Sequence, residues 1–97
     1  MPQVRLTGQL VCKHVDEVAT VIEYLPPHAS LTRAEPGCLS FEVKQTEDPF
    51  IWQVEERFID AAAFAVHQER VAASEWGRMT SRIERRYVVE ETDRAES

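Results

Sequence analysis

Two residues of this chain combine a titratable side chain with an apolar setting, and both could carry acid–base chemistry. His67 lies between Phe64 and Val71 on the apolar stripe of a helical pattern. Glu56 falls in a row of alternating residues that is otherwise apolar: Phe50, Trp52, Val54, Glu56 and Phe58. A carboxylate or an imidazole in an apolar cleft has a shifted pKa, as a general acid or base working near neutral pH requires.

Both residues also have a purely structural interpretation. A buried carboxylate is costly unless it is paired, and Arg85 on the last predicted strand is a suitable partner for Glu56. A histidine on an apolar stripe is often a core residue bonded to a carbonyl or a carboxylate. The sequence leaves both interpretations open. However, Glu56 and His67 converge on one helix–sheet interior, which favours a functional pocket.

Aromatic residues form the second part of the candidate site. Trp52 and Trp76 lie on the inward faces of their predicted elements, where they either pack in the core or line a cavity for a flat aromatic ligand. His28 points inward if the first helix continues past Pro26 and Pro27. The candidate catalytic residues are His67 and Glu56, and the candidate substrate-binding residues are Trp52, Trp76, His28 and Phe64.

Other catalytic patterns are not found in the sequence. The three histidines have no metal-ligand spacing, and neither have Cys12 and Cys38. The chain contains no glycine-rich phosphate loop, and no serine or cysteine is visibly paired with a base. We therefore predict no metal site.

The elements that must position these residues follow the order β-α-β-β-α-β. Alternation predicts strands over Val4–Cys12, Cys38–Lys44, Phe50–Phe58 and about Ile83–Val89. Side chains able to cap a helix precede three apolar stripes, at Asp16, Asp60 and Ser74. The stripe after Ser74 places Trp76, Met79 and Ile83 inward.

Prolines and a glycine predict the breaks between these elements. Pro26 and Pro27 should break the first helix, which restarts over residues 28–33. Pro36 then ends it, and Gly37 turns the chain with a positive φ into the second strand, whose Leu39, Phe41 and Val43 face inward.

This order predicts an α+β, ferredoxin-like fold: an antiparallel sheet with the helices on one face. We expect one domain over residues 1–89 and a charged, flexible tail over 90–97. The uncovered sheet face carries mixed polar residues. Because packing this face on a twin would bury more area and cover strand edges in a small chain, we expect a homodimer through it.

Charge and hydropathy exclude several kinds of partner. The formal net charge is −6, and the basic residues form no run beyond Arg85 and Arg86, so nucleic acid and anionic membranes are not expected partners. No stretch is long and apolar enough to span a bilayer, and the first residues read as a strand, not a signal peptide. We therefore expect a cytoplasmic protein.

Three segments resemble the antibiotic biosynthesis monooxygenase (ABM) domain family, including its quinol monooxygenase type. They are LTRAEPGCLSFEV, a strand ending in EERF, and DAAAFAVHQ. The resemblance extends from about Val4 to Val89. Its most distinctive parts are the Glu35-Pro36-Gly37-Cys38 corner, Glu56-x-Phe58 where members usually have Glu-x-Trp, and Phe64-x-x-His67.

The resemblance implies a dimeric α+β barrel and a cofactor-free oxygenase of quinols, anthrones and related aromatics, with no bound cofactor. On that basis His67 is the base and Glu56 orients it or the substrate. Haem-degrading relatives use an asparagine on the first strand, and VRLTGQLVC has none, so a haem role is not favoured. The alternative is a non-catalytic dimeric module of the same fold that binds a small aromatic molecule.

Overall fold

A computed structural model describes residues 2–92, which form a four-stranded antiparallel sheet with three helices. The elements are β1 (Gln3–Val11), α1 (Val15–Arg33), β2 (Cys38–Gln45), β3 (Ile51–Phe58), α2 (Ala61–Ala72), α3 (Glu75–Met79) and β4 (Glu84–Thr92). The strand order across the sheet is β2-β3-β1-β4. This is the predicted ferredoxin-like α+β fold, with one short extra helix.

Alternation along β1 and β3 determines which side chains form the core. Leu6, Leu10, Trp52 and Val54 are buried under the helices, and their strand neighbours point to the open face. Burying each such side chain contributes about 1.5–3 kcal/mol, which is the main force that holds the helices on the sheet. The core also contains Cys12, Val21, Trp76 and Ile83.

Helix α1 is continuous from Val15 to Arg33, so the predicted break at Pro26 and Pro27 is wrong. Proline fits helical φ, and its cost is a missing donor and a ring that crowds the preceding turn. Here Val21 and Ala29 are buried on either side of the exposed prolines, and their packing outweighs that cost. None of the helices in residues 2–92 is long and apolar enough to cross a membrane.

Two of the three predicted helix caps are confirmed. The side chain of Asp60 accepts from Ala63 N at 2.8 Å, and that of Ser74 accepts from Gly77 N at 3.0 Å. The Asp16 cap is wrong, because α1 begins at Val15 and Asp16 lies in its first turn. There its negative charge still favours the positive end of the helix dipole.

The corner between α1 and β2 forms where predicted but for another reason. Gly37 does not have a positive φ; among the described residues only Gly8 does. A Cβ on Gly37 would lie 2.4 Å from Ala63 Cβ, so glycine is needed because the corner packs closely against α2. This contact sets the distance between the end of α1 and the helix that carries His67.

Three further expectations are corrected. Leu39 is 45 % exposed, because the register shifts between Cys38 and Ser40 at the start of β2. Met79 is 44 % exposed, since α3 ends there. Strand β4 continues to Thr92, three residues past the predicted domain end at 89, and the rest of the predicted tail, 93–97, lies outside the described residues.

Candidate active site

A cavity of about 380 Å³ opens between the helices and the covered face of the sheet. Four of the six predicted site residues line it: Glu56, His67, His28 and Trp76. The remaining lining residues are Leu6, Gln68, Val71, Ala72, Gly77, Ser81, Arg85 and Tyr87. The structure therefore brings both predicted catalytic groups to one ligand-sized space.

His67 is held by a carboxylate that the sequence analysis treated only as part of a turn. Its Nδ1 lies 3.1 Å from each carboxylate oxygen of Glu35. Because a carboxylate accepts hydrogen bonds, Nδ1 carries the ring proton and donates a hydrogen bond to Glu35. The lone pair of Nε2 is therefore free. Burial lowers the pKa of His67, while the hydrogen bond to Glu35 acts in the opposite direction.

The free face of His67 points to Glu56. The distance from His67 Nε2 to Glu56 Oε1 is 3.5 Å, the outer limit of a hydrogen bond. Both side chains are buried, and Oε1 has no hydrogen-bond partner in the described structure. Burial, reinforced by the negative charge of Glu35, raises the pKa of Glu56 from 4.5 to about 7. Glu56 can therefore either give or take a proton near neutral pH.

Arg70 anchors the other side of Glu35. Its Nε donates to Glu35 Oε2 at 2.5 Å, and its Nη2 donates to Thr32 Oγ1 at 2.9 Å. His67 and Arg70 are three residues apart on α2, so both side chains reach the end of α1 from the same helix face. The result is a chain of ionisable groups that runs from Arg70 through Glu35 and His67 to Glu56.

His28 and Trp76 form the aromatic part of the cavity wall. Their rings stack with a centroid distance of 4.6 Å and an interplanar angle of 5°. His28 is buried, and its Nδ1 lacks a partner in the described part of the chain. Burial, aided by the positive charge of Arg70, lowers the pKa of His28 to about 3, so this imidazole stays neutral.

The other two predicted binding residues lie away from the cavity. Trp52 belongs to the buried core. Phe64 is half-buried and packs against Phe58, with ring centroids 5.5 Å apart. Their alternation and helical spacing predicted an inward direction correctly but could not say which part of the interior they would reach.

The alternative in which Glu56 pairs with Arg85 is not what the structure forms. Arg85 donates instead to Thr80 O and Thr80 Oγ1, each at 2.7 Å, and to Ile83 O at 3.1 Å. No ion pair joins Arg85 to Glu56 within residues 2–92. Glu56 therefore remains a pocket carboxylate with a perturbed pKa.

Sequence reasoning missed Glu35, Arg70 and Tyr87 as site residues. Glu35 lies in a corner outside any periodic element, so its direction could not be read from a pattern. The spacing of His67 and Arg70 did place them on one helix face and was the available signal. In the described part of the chain, no cluster of three or more His, Cys, Asp or Glu side chains is arranged to hold a metal ion.

Solved structures with this architecture include candidate oxidoreductases. A candidate antibiotic biosynthesis monooxygenase from Nitrosomonas europaea superposes with a TM-score of 0.77 at 18% identity, covering 97% of this chain and 92% of that one. A conserved protein from Bacteroides thetaiotaomicron, described as a possible oxidoreductase, has a TM-score of 0.77 at 15% identity over 93% of this chain and 97% of its own. At these identities the likeness establishes the fold.

Sequence comparison identifies the family directly. No curated protein matches the chain significantly. The family model for antibiotic biosynthesis monooxygenase matches residues 14–78, from the start of α1 to the end of α3. That segment contains Glu35, Glu56 and His67. The chain therefore belongs to the antibiotic biosynthesis monooxygenase family, which supports a general monooxygenase-like role.

Proposed function

We propose that this protein is a cofactor-independent monooxygenase that oxidises a small electron-rich aromatic, a quinol or an anthrone, with molecular oxygen. The observation that carries the proposal is the pairing of His67 with Glu56 on the wall of an aromatic-lined cavity. An electron-rich phenol reduces oxygen once it has lost its proton. The protein must then supply a base, a dry pocket and space for oxygen.

For a quinol, the proposed first step is removal of a hydroxyl proton. His67 is the base: the substrate O–H bond breaks and an H–Nε2 bond forms, directly or through Glu56. The resulting imidazolium is stabilised by Glu35 at Nδ1, because that carboxylate already accepts the Nδ1–H hydrogen bond. Neutral His28 and Trp76 provide a flat wall against which the substrate ring stacks.

The second step uses the electrons of the deprotonated ring. The anion transfers an electron to oxygen, and the two radicals combine to form a carbon–oxygen bond and a peroxide. Cleavage of the O–O bond leaves one oxygen atom on the ring carbon. The other oxygen atom leaves as water. One of its hydrogens comes from the oxidised carbon, and the other is the proton that His67 or Glu56 removed in the first step. Quinol and oxygen thus give hydroxyquinone and water.

The second candidate function is a non-catalytic binding module for a small aromatic molecule. One observation favours it: His67 is only 2 % exposed and its Nδ1 is tied to Glu35, as in a structural ion pair. In that case ligand binding would stabilise the fold without turnover.

The test is oxygen consumption by metal-free protein with 1,4-dihydroxynaphthalene and anthrone, without added flavin. We expect His67→Ala and Glu56→Gln to lower the rate by about a hundredfold or more, since general-base catalysis contributes on the order of 10²–10⁴. His14→Ala is the matched control, because His14 is exposed and lies outside the cavity.

Two results would contradict the proposal. The base assignment is wrong if both site variants stay folded and retain the wild-type rate. Thermal stabilisation by the aromatic compounds with no oxygen uptake would instead support the binding module.

A further inference from the structure

Arg85 lies on the cavity wall in an unusual electrostatic position. It is on the covered face of β4, opposite Leu10 of β1, and it lines the cavity. Among the cavity-lining residues of the described chain, Arg85 is the one with a permanent charge, because Glu56 titrates near neutrality and His28 stays neutral.

That charge is not met by a carboxylate within residues 2–92. Several other arginines do have one: Arg5 pairs with Glu55 at 2.8 Å, Arg70 with Glu35 at 2.5 Å, and Arg86 with Glu84 at 2.7 Å. Arg85 instead forms hydrogen bonds to neutral oxygens of the segment before β4.

These hydrogen bonds hold the guanidinium in place without using all of its donors. Three of its five N–H groups point to Thr80 and Ile83. Thr80 is fully buried, so the anchor is part of the rigid core. The two remaining N–H groups, on Nε and Nη2, meet no carboxylate among the described residues, and the nearby hydroxyl of Tyr87 is a neutral partner. A preorganised guanidinium whose outward donors meet no carboxylate suits a planar oxyanion.

Tyr87 adds a neutral donor to this part of the wall. It lies two residues after Arg85 on the same face of β4 and also lines the cavity. Burial raises the pKa of Tyr87 to about 12, so its phenol keeps its proton at neutral pH and can donate a hydrogen bond. Arg85 and Tyr87 together form what we term the anion subsite.

The aromatic wall formed by His28 and Trp76 lines the same cavity as the anion subsite. We propose that the ligand of this cavity is an aromatic acid, whose ring packs against His28 and Trp76 and whose carboxylate or equivalent oxyanion binds Arg85. The inference rests on the proposed function only in using the same cavity. It narrows the substrate class from electron-rich aromatics in general to those that carry an acidic group.

The test compares two compounds that differ by one carboxylate, 1,4-dihydroxy-2-naphthoate and 1,4-dihydroxynaphthalene. Their dissociation constants are measured by calorimetry without oxygen, so that no turnover is needed. We expect wild-type protein to bind the acid about ten- to a hundredfold more tightly, as for a charge-assisted hydrogen-bonded pair. Arg85→Met should reduce this preference to about onefold and leave the affinity for the neutral compound unchanged.

Two further variants control for folding and for charge. Arg85→Gln keeps N–H donors for Thr80, so it should fold normally and still lose the preference for the acid. Arg86→Met removes the next positive charge along β4 but on the open face of the sheet, and it should retain the preference.

The outcomes separate this inference from the proposed function. Three results overturn the anion subsite. They are an equal affinity of wild type for both compounds, a preference for the acid that survives in folded Arg85→Gln, and a failure of wild type to bind either compound. A preference for the acid without oxygen uptake in air supports the anion subsite and contradicts the monooxygenase. Oxygen uptake without a preference for the acid supports the monooxygenase and contradicts the anion subsite.

Discussion

At the scale of single residues, Glu56 is the most informative side chain. Its position in an apolar row predicted a carboxylate with an unusual environment, and the structure places it beside His67 with no ion-pair partner at Arg85. Burial and the negative charge of Glu35 therefore outweigh the opposing positive charge of Arg85. The pKa of Glu56 rises to about 7, so the folded state binds its proton more tightly than the unfolded state does.

This shift predicts a pH-dependent stability. Because unfolding releases the Glu56 proton, stability falls as the pH rises from 4.5 to about 7, by roughly 3 kcal/mol at most, and is then constant with respect to this group. We expect Glu56→Gln to remove that loss. The free energy of unfolding of the variant, relative to that of wild type, should therefore increase as the pH rises through this range. Urea denaturation at pH 4.5 to 8.5 measures the difference.

The control for this experiment is Glu55→Gln, which removes the neighbouring carboxylate from the open face of β3. A constant difference between Glu56→Gln and wild type at all pH values would mean that folding does not raise the pKa of Glu56. The prediction that burial raises the pKa of this pocket carboxyl group would then be wrong.

At the scale of elements, the corner between α1 and β2 determines where Glu35 lies. Gly37 packs against Ala63 in the first turn of α2, and Ile59 N donates to Gly37 O at 2.9 Å. Glu35 is two residues before this contact, and His67 is four residues after Ala63. The contact between corner and helix therefore helps to set the geometry of the Glu35–His67 pair.

Gly37→Ala should destabilise the protein by about 1–3 kcal/mol, because its Cβ would lie 2.4 Å from Ala63 Cβ. The double variant Gly37→Ala with Ala63→Gly removes the clash and should recover much of that loss. Chemical denaturation of the four proteins of this cycle measures the coupling. Strictly additive effects would show that the corner adjusts freely and does not constrain α2.

At the scale of the whole molecule, one sheet face is uncovered. Val88, near the middle of β4, is 57 % exposed and lies opposite Thr7 on this face. Strands β2 and β4 also leave two open sheet edges. We propose that two copies pack through this face, since the contact would bury additional surface in a chain too small to bury much alone.

Sedimentation velocity at micromolar concentration tests the dimer. We expect wild type to sediment as a dimer and Val88→Glu as a monomer, because the substitution would bury an unpaired charge at the interface. Val66→Glu is the matched control: Val66 is 61 % exposed on α2, away from the sheet face, and this variant should remain dimeric. A monomeric wild type, or a dimeric Val88→Glu, would contradict the proposal.

The sequence alone determined most features that depend on local periodicity. Alternation with a period of two assigned Trp52, Val54 and Glu56 to the covered face, and helical spacing turned His67 inward. The same patterns predicted the order of the main elements, and hence the ferredoxin-like topology. These features are encoded by neighbours along the chain.

The tertiary structure decided everything that depends on distant contacts. Continuous α1 could not be inferred, because packing on both sides of Pro26 and Pro27 outweighs the local cost of proline. The partner of His67 is Glu35, 32 residues away in a corner with no periodic pattern. Arg85 similarly bonds to Thr80 and not to Glu56. Periodicity sets the face to which a side chain points, whereas its partner depends on how separate elements pack.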